Sequence, residues 1–269
     1  MSDWSNILLD AALVLYSLGA LVSISVIITR RRERAFLIPW LTLAGFVVHL
    51  GGIIARGVAE RGVPVENLRG IMFLVAWAAI SVYLFAHFRF RLEVMGVVIL
   101  PLVVALMLVT LMLPQGSEPG AAPHQATGIE TAGRLIHIVP AILGVSALFL
   151  TFASSIIYLI QERALKSHRP LKMILRLPSL ERCEKLGYQS LTWGFSLLSF
   201  VVLTGVVSAG YRPDANWGWL LREKWSLLAW LIFAVIIYDR IFSGGWRGRK
   251  AAYLSIIGFG VMILRMVGV

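Results

Sequence analysis

Two stretches of this 269-residue chain place an imidazole deep in an apolar run. In GFVVHLGGIIARG the histidine is His49, and in GRLIHIVPAILG it is His137. Each has an arginine on its own helical face. Seven residues separate His49 from Arg56, roughly 10 Å along a helix axis, and Arg134 stands one turn before His137. Both arginines lie toward the outer surface. Polar rings at membrane depth are costly, so each position is a functional suspect until a structural partner explains it. Nitrogen ligands on two helices, each with a cation above it, suit bis-imidazole ligation of an iron porphyrin whose propionates point outward. The plainer alternative is a pair of hydrogen-bonded packing histidines with arginines that snorkel to the interface. Gly51, Gly52 and Gly144 would let a flat macrocycle approach the helix backbones.

The other histidines separate from these two. His124 and His168 fall in loops, and His87, in HFRFR, reads as an interface anchor. A second cluster is NWGWLLREKWSLLAW, residues 216–230, with four tryptophans in fifteen positions. Aromatic belts collect tryptophan at membrane interfaces. Trp217 and Trp219, however, lie in a loop, and with Trp225 they offer a shelf for a planar π system whose carboxylates would meet Arg222 and Lys224.

The elements that must position these residues are membrane helices. Hydrophobic residues make up 58% of the chain and charged ones 14%, the composition of a polytopic membrane protein. Eight segments are long and apolar enough to span a bilayer, near 7–29, 36–55, 70–88, 93–113, 135–160, 188–209, 225–240 and 251–268. This puts His137 within the first turn or so of its helix. The expected fold is all-α, with residues 1–269 forming a single integral membrane domain. The first run follows MSDWSNILLD, which lacks a basic n-region, and is expected to be a retained helix. Lys and Arg outnumber Asp and Glu by 25 to 14, and 17 of those 25 fall in four alternate loops. By the positive-inside rule those loops are cytoplasmic, so both termini face outward and the basic excess reports topology, not nucleic acid. Within the cytoplasmic loop 161–187, LKMILRL is expected to form a basic surface helix ended by Pro178. Cys183 is the single cysteine, so no disulfide or redox pair forms within the chain. Phosphate-binding loops, metalloprotease motifs and nucleophile elbows are absent, which disfavours soluble-enzyme chemistry.

At this point the residues resemble a known family. The stretch WGWLLREKWSL is similar to the tryptophan-rich signature of the cytochrome c assembly proteins, the CcsA/ResC/CcmC-like haem-handling group, whose ideal form reads WGWDPKETWSL. ERGVPVENL is similar to their outer G-x-P-x-x-N loop, and LIHIVPAILG to the helix with their first outer haem ligand. Leu220 and Leu221 stand at the signature's Asp and Pro, Asp239 stands where the family has a histidine, and the chain ends RMVGV without the His-Ser-Tyr motif. The sequence therefore sits nearest the short, HemX-like branch.

What the resemblance implies is a multi-pass bacterial inner-membrane protein, not itself an enzyme, that holds or delivers haem in cytochrome c biogenesis. The haem would be b-type and non-covalent, placed between helices 2 and 5. His137 and His49 would ligate its iron, Arg56 and Arg134 would hold its propionates, and Trp217, Trp219 and Trp225 would cover it. Expected partners are apocytochrome c, a CcsB-like membrane protein and a soluble protein at loop 161–187. One alternative is a HemX-like regulator of tetrapyrrole synthesis. Another is a cofactor-free transporter or structural subunit of a membrane complex.

Overall fold

The computed structural model describes residues 2–29, 32–60, 68–90, 95–113, 128–166, 179–210, 224–242 and 248–267. Apolar surroundings decide the secondary structure, because a backbone out of reach of water must satisfy its own polar groups, and a helix does so within one segment. Among the described residues eight helices follow in chain order: α1 (Ser2–Thr29), α2 (Leu37–Glu60), α3 (Leu68–Phe90), α4 (Gly96–Met112), α5 (Gly128–Lys166), α6 (Leu180–Gly210), α7 (Lys224–Phe242) and α8 (Arg249–Val267). Among the described residues every regular element is helical, including a short 3-10 turn at Arg32–Arg34.

Each expected segment corresponds to one helix. Six of them, α1, α2, α3, α5, α6 and α7, are long and apolar enough to cross a membrane, and the chain is a multi-pass membrane protein. The other two are weaker candidates. α4 has 17 residues and carries Pro101; at 1.5 Å per residue its rise is about 26 Å, against a hydrocarbon core of about 30 Å. α8 places Arg249, Lys250 and Arg265 within 19 residues.

Two boundaries differ from expectation. α5 begins at Gly128, so His137 is about two and a half turns into the helix rather than in its first turn. α6 begins at Leu180, so residues 161–166 and 180–187 of the expected cytoplasmic loop are helical. The LKMILRL stretch lies outside the described residues. Charges there support helices instead of ending them: Lys166 pairs with Glu162 at 2.6 Å one turn away, and Arg240 of α7 reaches Glu184 of α6 at 3.1 Å.

The helices fall into two compact units, α1–α4 and α5–α8. In the first, α1 and α3 each pack on both α2 and α4, closing a ring of four. The second repeats the arrangement, with α5 and α7 each packing on α6 and α8. Without a hydrophobic drive between helices in lipid, close contact depends on small residues. In the first unit Gly45 gives room to Tyr16, because a Cβ there would lie 2.6 Å from the Tyr16 ring, and Gly52 gives room to Leu9. In the second unit α5 and α6 cross at Gly144 and Gly194, and a Cβ on Gly194 would stand 2.7 Å from Leu148 and 3.2 Å from the Gly144 carbonyl. Gly52 and Gly144, expected to admit a macrocycle, are thus occupied by helix packing. Gly51 faces Leu8, at an ordinary 3.8 Å.

Candidate functional site

In the first unit the site is built on one stripe of α2. Ile38, Thr42, Gly45, His49, Gly52 and Arg56 recur at intervals of three and four residues, and all six are buried. His49 is fully enclosed at 0% exposure. Its Nδ1 faces the Tyr16 hydroxyl of α1 at 3.4 Å, a long contact by hydrogen-bond standards. The Tyr16 and Phe73 rings meet the imidazole edge-on, at 5.9 and 6.0 Å between centres. One turn away on α2 and α3, Phe46 and Trp77 stack at 4.8 Å.

Nε2 of His49 is buried and has no hydrogen-bond partner among the described residues. A buried polar atom left unmade costs about 1–3 kcal/mol, so this nitrogen calls for an explanation. It has the position of an axial ligand: one nitrogen steadied by a hydroxyl, the other presented to whatever enters. The residues therefore fit the imidazole side of an iron porphyrin. Arg56 is buried at 9% exposure on the same stripe, two turns toward the C-terminal end of α2.

In the second unit His137 lies half-buried on α5. Its Nδ1 is 2.8 Å from Thr204 Oγ1 of α6. Thr204 also donates to the Val201 carbonyl at 3.0 Å. Thr204 Oγ1 thus lies within hydrogen-bond reach of both the Nδ1 of His137 and the Val201 carbonyl, and it fixes the imidazole through Nδ1. Three residues on, Pro140 has no N–H for the Ile136 carbonyl, so the turn carrying His137 lacks one helical bond. Gly205 lies beside the ring, where a Cβ would come within 3.8 Å of Cε1.

The aromatic shelf is described only in part. Trp225 is half-buried in the first turn of α7, with Lys224 Nζ 5.3 Å from its ring centre. Trp217 and Trp219 lie outside the described residues, as does the side chain of Arg134. Trp230 belongs to the packing of its unit: Nε1 donates to Ser199 at 2.9 Å, and its ring stacks on Phe195. Sequence reasoning missed Tyr16, Thr204, Phe73 and Arg69. A polar residue inside an apolar run is the available signal, and it points to hydroxyls as well as to histidines.

Among the described residues no three His, Cys, Asp or Glu side chains gather as a metal-holding cluster. Arg240 and Glu184 form a separate ion pair in the second unit, where the Arg240 guanidinium also covers the Tyr188 ring at 4.0 Å. That pair borders a small open pocket of about 30 Å³ lined by hydroxyls such as Ser154 and Ser155 and by Cys183.

With this geometry in place, the chain was compared with known proteins. The family model described as cytochrome C assembly protein matches residues 65–269. Cytochrome c biogenesis protein CcsA of Guillardia theta is 26% identical over 224 residues, covering 77% of this chain and 73% of the relative. The protein of the same name from Microcystis aeruginosa is 26% identical over 260 residues, with 80% and 78% covered. Over a shorter span of 95 residues the Prochlorococcus marinus protein reaches 37% identity, covering 35% of this chain and 30% of the relative. His137, Arg134 and the three shelf tryptophans fall inside the family match, whereas His49 and Arg56 precede it.

Proposed function

Since the chain belongs to the cytochrome c assembly protein family, we propose that it serves cytochrome c biogenesis by holding haem and passing it on, without making bonds itself. The observation that carries this reading is the fully buried His49, whose Nδ1 faces the Tyr16 hydroxyl and whose Nε2 has no hydrogen-bond partner among the described residues. His49 in the first unit and His137 in the second are the two imidazoles that would ligate iron. When bound, haem supplies an iron that accepts imidazole nitrogen and carboxylates that need cations.

The residues around the ligands divide the remaining work. Thr204 and Tyr16 hold the two imidazole rings by their Nδ1 atoms. Arg56 and Arg134 receive propionates, and Trp217, Trp219 and Trp225 cover the macrocycle. The bound group is b-type haem, held without covalent attachment in the plasma membrane of a bacterium. Both chain ends and the tryptophan loop face outward, toward apocytochrome c and a CcsB-like membrane partner.

Oxidised and dithionite-reduced absorption spectra of the gently purified protein, beside His137→Ala and His49→Ala, test this assignment. A Soret band that diminishes in both variants is the expected result. A band that neither change affects sinks the ligand assignment, and a colourless protein in the presence of excess haem sinks the function.

Leu220 and Asp239, at positions where the family carries Asp and His, favour a second reading: a HemX-like regulator of tetrapyrrole synthesis. Its contact with a soluble enzyme would use residues 167–178. Deleting them should abolish regulation while haem binding persists; regulation that survives the deletion excludes the idea.

A further inference from the structure

A second buried cation stands in the first unit beside the His49 ring, and nothing in the histidine–arginine stripe accounts for it. Arg69 opens α3 and is 5% exposed. Its guanidinium lies over the Phe73 ring at 5.9 Å from the centre, and the same ring meets His49 at 6.0 Å. Phe73 thus contacts both the imidazole and the guanidinium. Arg69 donates one long bond, Nη1 to the Leu113 carbonyl at 3.4 Å, while its Nε is buried without a hydrogen-bond partner among the described residues.

Removing one charge from water costs several kcal/mol, and one long bond to a carbonyl together with an aromatic face does not offset that. Arg56 adds to the cost, because it is near enough to repel Arg69, and Asp10, the acid that acts on Arg69, is itself exposed. Two buried nitrogens without hydrogen-bond partners among the described residues, Nε2 of His49 and Nε of Arg69, on side chains that both contact Phe73, call for a single ligand with two kinds of group. One group must meet an imidazole and the other must be an anion of carboxylate geometry.

We propose that Arg69 is the carboxylate receptor of the His49 site, so that the first unit recognises a carboxylate-bearing tetrapyrrole through His49 and Arg69 together. This rests on the haem reading above and adds to its propionate-holding arginines a buried guanidinium next to the His49 ring. A guanidinium that forms the bidentate pair is satisfied, and the neighbouring Arg56 then raises the attraction for an anion instead of opposing the fold.

The test uses the full-length protein in detergent micelles and measures affinity for haem and for haem dimethyl ester, in wild type, Arg69→Gln, Arg69→Lys and His49→Ala. The free acid is expected to bind at least tenfold more tightly than the ester to wild type, in line with a hydrogen bond to a charged group. Arg69→Gln should lose most of that preference while keeping the wild-type Soret position, and Arg69→Lys should recover part of it. If Arg69 served only to tie α3 to Leu113, both ligands would weaken equally in Arg69→Gln. That result, or an unchanged preference, overturns the proposal and leaves haem ligation standing. A wild type that binds neither compound overturns both readings at once, and a His49→Ala spectrum identical to wild type overturns this proposal while leaving the haem reading to His137.

Discussion

The two four-helix units solve one problem, how to present an imidazole inside an apolar bundle, in opposite ways. The first buries His49 entirely, surrounds it with Tyr16 and Phe73, and leaves Nδ1 a weak 3.4 Å contact. The second leaves His137 half-buried but gives Nδ1 a firm 2.8 Å bond to the Thr204 hydroxyl. Position in the first unit comes from packing, and in the second from a hydrogen bond. The family match extends over all of α5–α8 but reaches only α3 and α4 of the first unit. The hydrogen-bonded histidine therefore lies within the family match, while the packed one lies ahead of it.

The largest expected effect is loss of a ligand. His137→Ala should reduce haem affinity by more than the about 10–100-fold that loss of an outer-shell partner costs. His49→Ala should also weaken binding and change the reduced spectrum. Titration with haem under identical detergent conditions checks both, and a His137→Ala protein that binds like wild type would break the comparison at its base.

The next effect sharpens the contrast between the two supports. Thr204→Val removes the hydroxyl that fixes Nδ1 of His137 and should cost about 10–100-fold in haem affinity. Tyr16→Phe removes a contact near the distance limit, and the shape of the ring keeps its packing, so its cost should be several-fold smaller. Equal losses in the two variants would show that packing and hydrogen bonding do not divide between the units as described.

Packing in the first unit has its own, smaller measure. Gly45→Ala drives a methyl against the Tyr16 ring, which sits behind His49, and overpacking of this kind costs about 1–3 kcal/mol. Gly51→Ala, one face round the same helix, meets Leu8 at ordinary contact distance and should gain up to about 1 kcal/mol from helix propensity. Thermal unfolding in detergent, followed with and without haem, separates these outcomes. A Gly45→Ala protein as stable as Gly51→Ala would remove the case for a tightly set Tyr16.

The helices were legible because apolar runs of spanning length leave the backbone one solution, and His49 and His137 were legible because imidazoles stand out among Val, Ile and Leu. Their partners were not. Tyr16 lies 33 residues from His49 and Thr204 lies 67 from His137, and in sequence each is an ordinary polar residue in an apolar helix. Arg69 reads in sequence as one more loop-end cation, because only the fold brings both it and His49 against Phe73. Helix ends near 161–187 escape the sequence for a different reason. Charge marks where a chain leaves the bilayer, and α5 and α6 continue past that level on ion pairs such as Glu162–Lys166. Gly52 and Gly144 suggest a ligand in sequence because spacing does not reveal what faces a missing side chain.

The smallest effect concerns the tryptophans, which the sequence presents as one cluster and the structure divides. Trp230 is held on both sides, by the bond to Ser199 and by the Phe195 ring. Trp230→Phe keeps an aromatic ring but takes the indole N–H away from the Ser199 hydroxyl, and should destabilise the second unit by about 1 kcal/mol without touching haem. Trp225 has Lys224 across its face in the first turn of α7. Lys224→Ala should cost at most about 0.5–1 kcal/mol in stability, the worth of an exposed cation–π contact. Its effect should appear instead as a salt-sensitive loss of haem affinity, since the removed cation is one of two proposed to meet carboxylates at the shelf. Melting curves and haem titrations at low and high salt assign each tryptophan its part: a Trp230→Phe protein that loses haem would join Trp230 to the haem shelf, and a Lys224→Ala protein that only melts earlier would return Trp225 to the role of an interface anchor.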